Sequence, residues 1–151
     1  MLLLASCSGG SGATASRPPT AFLRVPGGAA AEGGMGSCCW AGGGERICRD
    51  TAGPVTAAEA IAVAPNAGIA ISFASETPTS TTLGWFVAEG PIPPEKAGFR
   101  TWPAPLDGDS VEAGTRAPTL PGFYLLTLDA RWSGKGDASY AWYIEERPCG
   151  R

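Results

Sequence analysis

An antiparallel, all-β sandwich of about seven or eight short strands is the architecture this sequence predicts. Three observations lead there. Apolar residues alternate with small or polar ones at period two in several segments, as in Ile69, Ile71 and Phe73 against Ala70, Ser72 and Ala74. Turn chemistry recurs at short intervals, because 22 glycines and 14 prolines are spread through 151 residues. Helix-forming composition is confined to one short stretch around Ala57-Ala58-Glu59-Ala60.

Taken in order, Phe22, Leu23 and Val25 followed by Pro26-Gly27-Gly28 predict a first strand and a turn. The glycines from Gly33 to Gly36 read as irregular loop. Pro54 and Thr56 resemble a helix start, so a short helical turn is expected over Thr56 to Ala62. Ile61-Ala62-Val63 and Gly68 to Ala74 are expected as two strands joined by a tight turn at Pro65-Asn66-Ala67-Gly68. Thr81 to Glu89 places Leu83, Trp85 and Val87 on one face and Gly84, Phe86 and Ala88 on the other; Pro91, Pro93 and Pro94 end it. Brief strands are expected at Phe99 to Trp102 and Val111 to Arg116, separated by Pro103-Ala104-Pro105 and Asp107-Gly108-Asp109 turns. The closing hairpin is the sharpest pattern. Tyr124, Leu126, Leu128, Ala130 and Trp132 share one face, Tyr140, Trp142 and Ile144 share one face of the next strand, and Ser133-Gly134-Lys135-Gly136-Asp137 joins them.

Three regions follow from composition. Residues 1–6 precede Cys7 in the run Leu4-Ala5-Ser6-Cys7, which resembles the lipoprotein signal pattern of aliphatic, small, small, then cysteine, and they are expected to be the truncated remnant of a signal whose true start lies upstream. The resemblance implies a lipidated Cys7 and a protein held outside the cytoplasm on the bacterial cell membrane, since one acyl chain alone anchors only marginally and a diacylglycerol is the expected group. Residues 7–19 form a Gly/Ser/Ala/Thr tether with too few large apolar groups to offset ordering entropy. Residues 20–151 are the sandwich domain.

Apart from Cys7, four cysteines remain: Cys38, Cys39, Cys48 and Cys149. An even number in an exported chain favours disulfides, and three pairings exist. The preferred one joins Cys39 to Cys48 across Ala41-Gly42-Gly43-Gly44, giving a disulfide-tied N-terminal loop, and Cys38 to Cys149, tying the domain's beginning to its end. A vicinal Cys38–Cys39 bond is strained, and four cysteines without a C-x-x-C pair make a poor zinc site.

Gly36-Ser37-Cys38-Cys39-Trp40 with Cys48-Arg49-Asp50, and Pro121-Gly122-Phe123-Tyr124 with Trp132 and Gly136-Asp137-Ala138-Ser139-Tyr140-Ala141-Trp142, together resemble the opening and closing segments of small uncharacterised bacterial surface lipoproteins. The resemblance covers both ends of the domain. It implies an immunoglobulin-like sandwich and no transferable activity. Where this chain has Cys38, that group carries an aromatic residue, and Cys149 is additional; a joint gain of two thiols fits their pairing.

Composition excludes several functions. Formal net charge is -3, and the two lysines and nine arginines are scattered singly, so there is no basic patch for nucleic acid or for anionic head groups. Histidine is absent, which removes Ser-His-Asp and Cys-His catalysis and most catalytic zinc. Glutamine is also absent and Asn66 is the only asparagine, a bias that suits a GC-rich genome. Acid/base work would fall to carboxylates among Asp50, Glu59, Glu76, Asp107, Asp109, Asp137, Glu145 and Glu146, yet no spacing singles out a pair. Asp107-Gly108-Asp109-Ser110-Val111-Glu112 alternates oxygen ligands but lacks the length of a calcium loop, and Gly42-Gly43-Gly44 lacks the Lys-Ser/Thr of a phosphate loop.

Of five tryptophans, Trp85, Trp132 and Trp142 are expected in the core, Trp40 adjoins the disulfide, and Trp102 between proline-rich loops is the candidate ligand contact. The expected function is a non-catalytic, lipid-anchored extracytoplasmic domain, without cofactor or metal, that binds a protein or envelope component. A carbohydrate-binding module or carboxylate enzyme is the alternative and would need a concave pocket with two acidic groups and an exposed ring. A structural spacer would need neither.

Overall fold

The computed structural model of the chain describes residues 17–56, 59–88, 90 and 116–147, together with the backbone of 105–111. Ten strands run through them: β1 (Ala21–Arg24), β2 (Ala31–Glu32), β3 (Gly34–Gly42), β4 (Glu45–Arg49), β5 (Ile61–Val63), β6 (Ala70–Phe73), β7 (Ser80–Ala88), β8 (Pro105–Val111), β9 (Gly122–Trp132) and β10 (Gly136–Glu146). A three-stranded sheet has the order β2-β1-β6, and a seven-stranded sheet has the order β4-β3-β10-β9-β7-β8. The remaining strand, β5, runs parallel to β10 at Ile144–Glu146, taking over where β3 leaves off at Ala141. Every other pairing is antiparallel. The described residues contain no helix.

The two sheets share one core. Ala21 and Leu23 of β1, with Ile71 and Phe73 of β6, pack onto Trp40, Leu83, Trp85, Leu126, Leu128, Trp132, Tyr140, Trp142 and Ile144 of the larger sheet. Phe73 meets Trp132 and Tyr140 edge-on, and Trp40 meets Trp132 edge-on at 5.2 Å between ring centres. Aromatic side chains with a polar tip need a partner when buried. Trp142 Nε1 therefore donates to Ala31 O, Trp132 Nε1 to Glu76 O, and Tyr140 Oη to Pro19 O, each reaching a backbone carbonyl outside its own sheet.

The closing hairpin has the expected register, with Tyr124 opposite Ile144, Leu126 opposite Trp142 and Leu128 opposite Tyr140. All five residues predicted for the β9 core face are buried. Leu83 and Trp85 of β7 are buried likewise, whereas Val87, expected on the same face, is 46 % exposed.

Elsewhere the structure departs from expectation. The segment read as loop from Gly33 to Gly36 opens a strand instead: β3 starts at Gly34 and is joined to β4 by a two-residue turn in which Gly43 and Gly44 both have positive φ, 66° and 89°, as a type I′ turn requires. Glycine runs hid the strand, yet they serve it. A Cβ on Gly34 would lie 2.0 Å from Val55 O, so this position must stay bare for the 51–56 segment to cross the sheet.

The helical turn expected at Thr56 to Ala62 is not formed at its end, where Ile61–Val63 extends along β10; residues 57 and 58 lie outside the described residues. Burying Val63 and gaining ladder hydrogen bonds outweigh the helix propensity of the alanines, which amounts to only a few tenths of a kcal/mol per residue over most other types. The Pro65-Asn66 turn exists, with Asn66 at φ 57°, but it does not make a hairpin. Its two arms enter different sheets, β5 beside β10 and β6 beside β1. Finally, β8 occupies Pro105–Val111, earlier than the expected Val111 to Arg116 strand. The register jumps from Gly84–Ser110 to Phe86–Pro105, so the expected Asp107-Gly108-Asp109 turn becomes an irregular stretch of an edge strand. The expected strand Phe99 to Trp102 lies outside the described residues.

Candidate binding trough on the outer sheet face

Strand alternation divides β3 between two environments. Cys38 and Trp40 point into the core side, while Ser37 and Cys39 point outward. The Cys39–Cys48 disulfide is formed, with 2.04 Å between sulfurs, and bridges directly opposed residues of β3 and β4. Trp40 turns its ring inward onto Trp132. Cys38 is half-buried and has no disulfide partner among the described residues; Cys149, its expected partner, lies outside them, as do Cys7 and Trp102. The Cys38 thiol borders a hollow of about 420 Å³ that also touches Arg17, Glu32, Trp40 and Ile47.

Three outward rows cross the middle of the seven-stranded sheet. Asp137 faces Arg131, which faces Ser80; Ser139 faces Asp129, which faces Thr82; Ala141 faces Thr127, which faces Gly84. The β3 side is irregular, since Gly36 and Ser37 together oppose Ser139 in a bulge. Gly36 is required there, because a Cβ would stand 2.7 Å from Ser139 Oγ and 3.3 Å from Thr51 Oγ1. Ser37 Oγ donates to Asp50 Oδ1 at 2.7 Å and accepts from Thr51 N at 3.1 Å, and Ser139 Oγ donates to Ser37 O at 3.1 Å. These bonds pin residues 50–55 onto the sheet as a wall.

The result is a cavity of about 410 Å³ with two kinds of lining. Pro54, Val55, Phe86 and Ala141 supply apolar surface, and Ser37, Thr51, Thr127, Asp129 and Ser139 supply polar groups. Phe86 leans over bare Gly84, whose Cβ would lie 3.0 Å from Phe86 Cε2. An adjoining hollow of about 370 Å³ shares Ser37, Asp129 and Ser139 and adds Ser80, Thr82, Arg131 and Asp137, making one continuous trough.

Electrostatics concentrate on Asp129. Loss of hydration and the nearby Asp137 carboxylate push its pKa above the ordinary range, although its surface still reaches solvent. Among the described residues, the side chains of Asp129, Asp137 and Arg131 take part in no hydrogen bond or ion pair. No group of three or more acidic or cysteine side chains among those residues is arranged to hold a metal ion.

Of the carboxylates named from sequence, Asp137 lines the trough and Asp50 braces its edge. Glu59 is exposed, Glu76 pairs with Lys135, Glu145 pairs with Arg147, and Glu146 is buried at the end of β10. Of Asp107 and Asp109 only the backbone is described. Sequence reasoning missed Asp129, Ser139, Thr127 and Phe86 as a group. The signal was the complement of the core pattern, since Thr127 and Asp129 are the residues that alternate with Leu126, Leu128 and Ala130.

Comparison with known proteins adds no neighbour: no family model, no curated protein and no solved structure matches this chain.

Proposed function

We propose that this chain is a non-catalytic, extracytoplasmic binding domain of immunoglobulin-like class, anchored through lipid on Cys7, that takes an envelope component on the outer face of its seven-stranded sheet. One observation carries the reading. The trough places Asp129 in the cavity lined by Phe86, and Asp137 and Arg131 in the adjoining hollow, all three exposed and without a hydrogen-bond or ion-pair partner among the described residues. A few convergent polar groups along a concave, partly apolar hollow are the usual make-up of a recognition site. The large exposed apolar residues Ile47, Val87 and Leu120 lie on separate segments and offer a weaker basis for docking.

Two features favour the immunoglobulin-like class. Tyr124 Oη, near the start of β9, donates to Leu120 O four residues upstream at 2.7 Å, the arrangement of a tyrosine corner. The run β10-β9-β7-β8 also has the neighbour order of the G-F-C-C′ strands in variable-type domains. Extracytoplasmic placement draws support from the Cys39–Cys48 bond, since such bonds persist in oxidising compartments.

The test is cosedimentation of the oxidised protein with isolated envelope fragments, set against Asp129→Lys, an exposed-face change that relieves repulsion with Asp137. Wild type is expected in the pellet and the variant in the supernatant. Equal sedimentation of both refutes the assignment of the face. Mass spectrometry of Cys7 from the host tests the anchor separately, and an unmodified thiol there refutes it.

A further inference from the structure

We infer that two copies of this chain pair edge to edge through β4, running antiparallel about a two-fold axis at Ile47 and joining their larger sheets into one. The contact lies on the rim of the sheet and goes beyond the reading of the trough, on which it does not depend.

The hairpin geometry leaves this edge bare. A two-residue turn closes on a hydrogen-bonded pair, Gly42–Glu45, so Trp40–Ile47 and Cys38–Arg49 are hydrogen-bonded pairs as well. Cys39 and Cys48, only 4.0 Å apart at Cα, form an intervening pair without ladder bonds. The amides and carbonyls of Arg46 and Cys48 therefore point away from β3, and they meet no backbone partner among the described residues. All five residues of β4 are exposed. Other rims are blunted: β8 begins at Pro105 and its register jumps, β2 and β5 have only two and three residues, and Ile71 to Phe73 of β6 are half-buried. By contrast, β4 pairs over its whole length without bulge, proline or lysine, and the Cys39–Cys48 bond holds it in place.

The occupant follows from the strand's own residues, because Glu45-Arg46-Ile47-Cys48-Arg49 is complementary to itself when reversed. With Ile47 on the axis, each Arg46 exchanges backbone hydrogen bonds with the partner's Cys48, using the groups that face away from β3. On the face shared by Glu45, Ile47 and Arg49, the two isoleucines meet and each Glu45 stands opposite the partner's Arg49. Charges on a rim normally deter pairing, but these match. Axes centred on Arg46 or Cys48 instead set Arg46 against its own copy or Ile47 against Arg49, so charge selects the register centred on Ile47. That residue is 51 % exposed, too small an apolar surface to dock a partner alone, yet it is the one the axis buries. Gly43 and Gly44, past which the partner's chain leaves its own β4, have open space around them and no side chain to obstruct it. Such a contact is isologous, so it closes at two copies.

Sedimentation equilibrium of the full oxidised chain from about 10 µM to about 1 mM, the range in which a small interface associates, tests the inference. Wild type is expected to pass from monomer to dimer within that range. Glu45→Arg and Arg49→Glu each turn the attractions on both sides of the axis into repulsions and should weaken the dimer about tenfold. An equimolar mixture of these two variants regains opposite charges at every facing position, so it should associate as tightly as wild type. That recovery also shows that both variants fold. Ile47→Asp, an exposed change that sets two carboxylates face to face on the axis, should weaken the dimer likewise. A wild type that stays monomeric throughout overturns the inference and leaves the rim to a strand of another protein. A dimer indifferent to all three substitutions, or a mixture no tighter than its components, overturns it as well.

Discussion

Glu146 offers the most demanding check on the packing. The residue is 3 % exposed, and neither carboxylate oxygen has a hydrogen-bond partner among the described residues. Burial raises its pKa from 4.5 to about 7. For a carboxyl group whose folded pKa lies above its unfolded value, the unfolded chain releases the proton first, so stability is greatest below about pH 4.5, falls as pH rises to about 7, and is flat beyond. A rise of that size corresponds to about 3 kcal/mol lost across the window. Relaxation of the protein and entry of water around an ionised carboxylate reduce that figure, so about 1–3 kcal/mol is the appropriate range. Replacement by glutamine preserves shape and removes the ionisation. Urea unfolding of wild type and Glu146→Gln at intervals from pH 4.5 to 8 should show the variant gaining that much relative to wild type as pH rises. Parallel stability curves would refute the reasoning, because they would mean the carboxylate ionises as freely in the folded protein as in the unfolded one.

Three other substitutions probe separate links. Gly136 has φ 146° and a Cβ there would stand 1.9 Å from Cys39 O, so Gly136→Ala should cost about 3 kcal/mol or more in urea unfolding. Replacing Cys39 and Cys48 together by alanine removes closure of a loop with a sequence separation of 9, and should lower stability by about 2–3 kcal/mol, less if the Gly43-Gly44 turn holds the hairpin in the unfolded chain. Tyr124→Phe deletes the hydrogen bond to Leu120 O and should cost about 1 kcal/mol, measured by the same unfolding. Non-reducing peptide mapping should recover Cys39 joined to Cys48, and the same digest reports whether Cys38 is linked to Cys149.

Legibility followed the strength of local patterning. The β9–β10 hairpin was readable because eleven-residue strands with a period-two apolar face have one register that buries Leu126, Leu128 and Trp132 together. The Cys39–Cys48 bond was readable because short separation and an even cysteine count left few alternatives. The β3 strand was not, since its glycines look like loop until Val55 O and Ser139 Oγ are seen to occupy the missing side-chain space. The Pro65-Asn66 turn was recognised, but which sheets its arms join depends on partners far along the chain.

By itself, then, the sequence determined an all-strand domain, its aromatic core face and the absence of histidine chemistry, because periodicity and composition are local properties carried by each segment alone. The trough was decided only by tertiary structure. Asp129, Ser139, Thr82 and Ser37 come from four strands spread over about a hundred positions, and their adjacency follows from cross-strand register, which no single segment encodes.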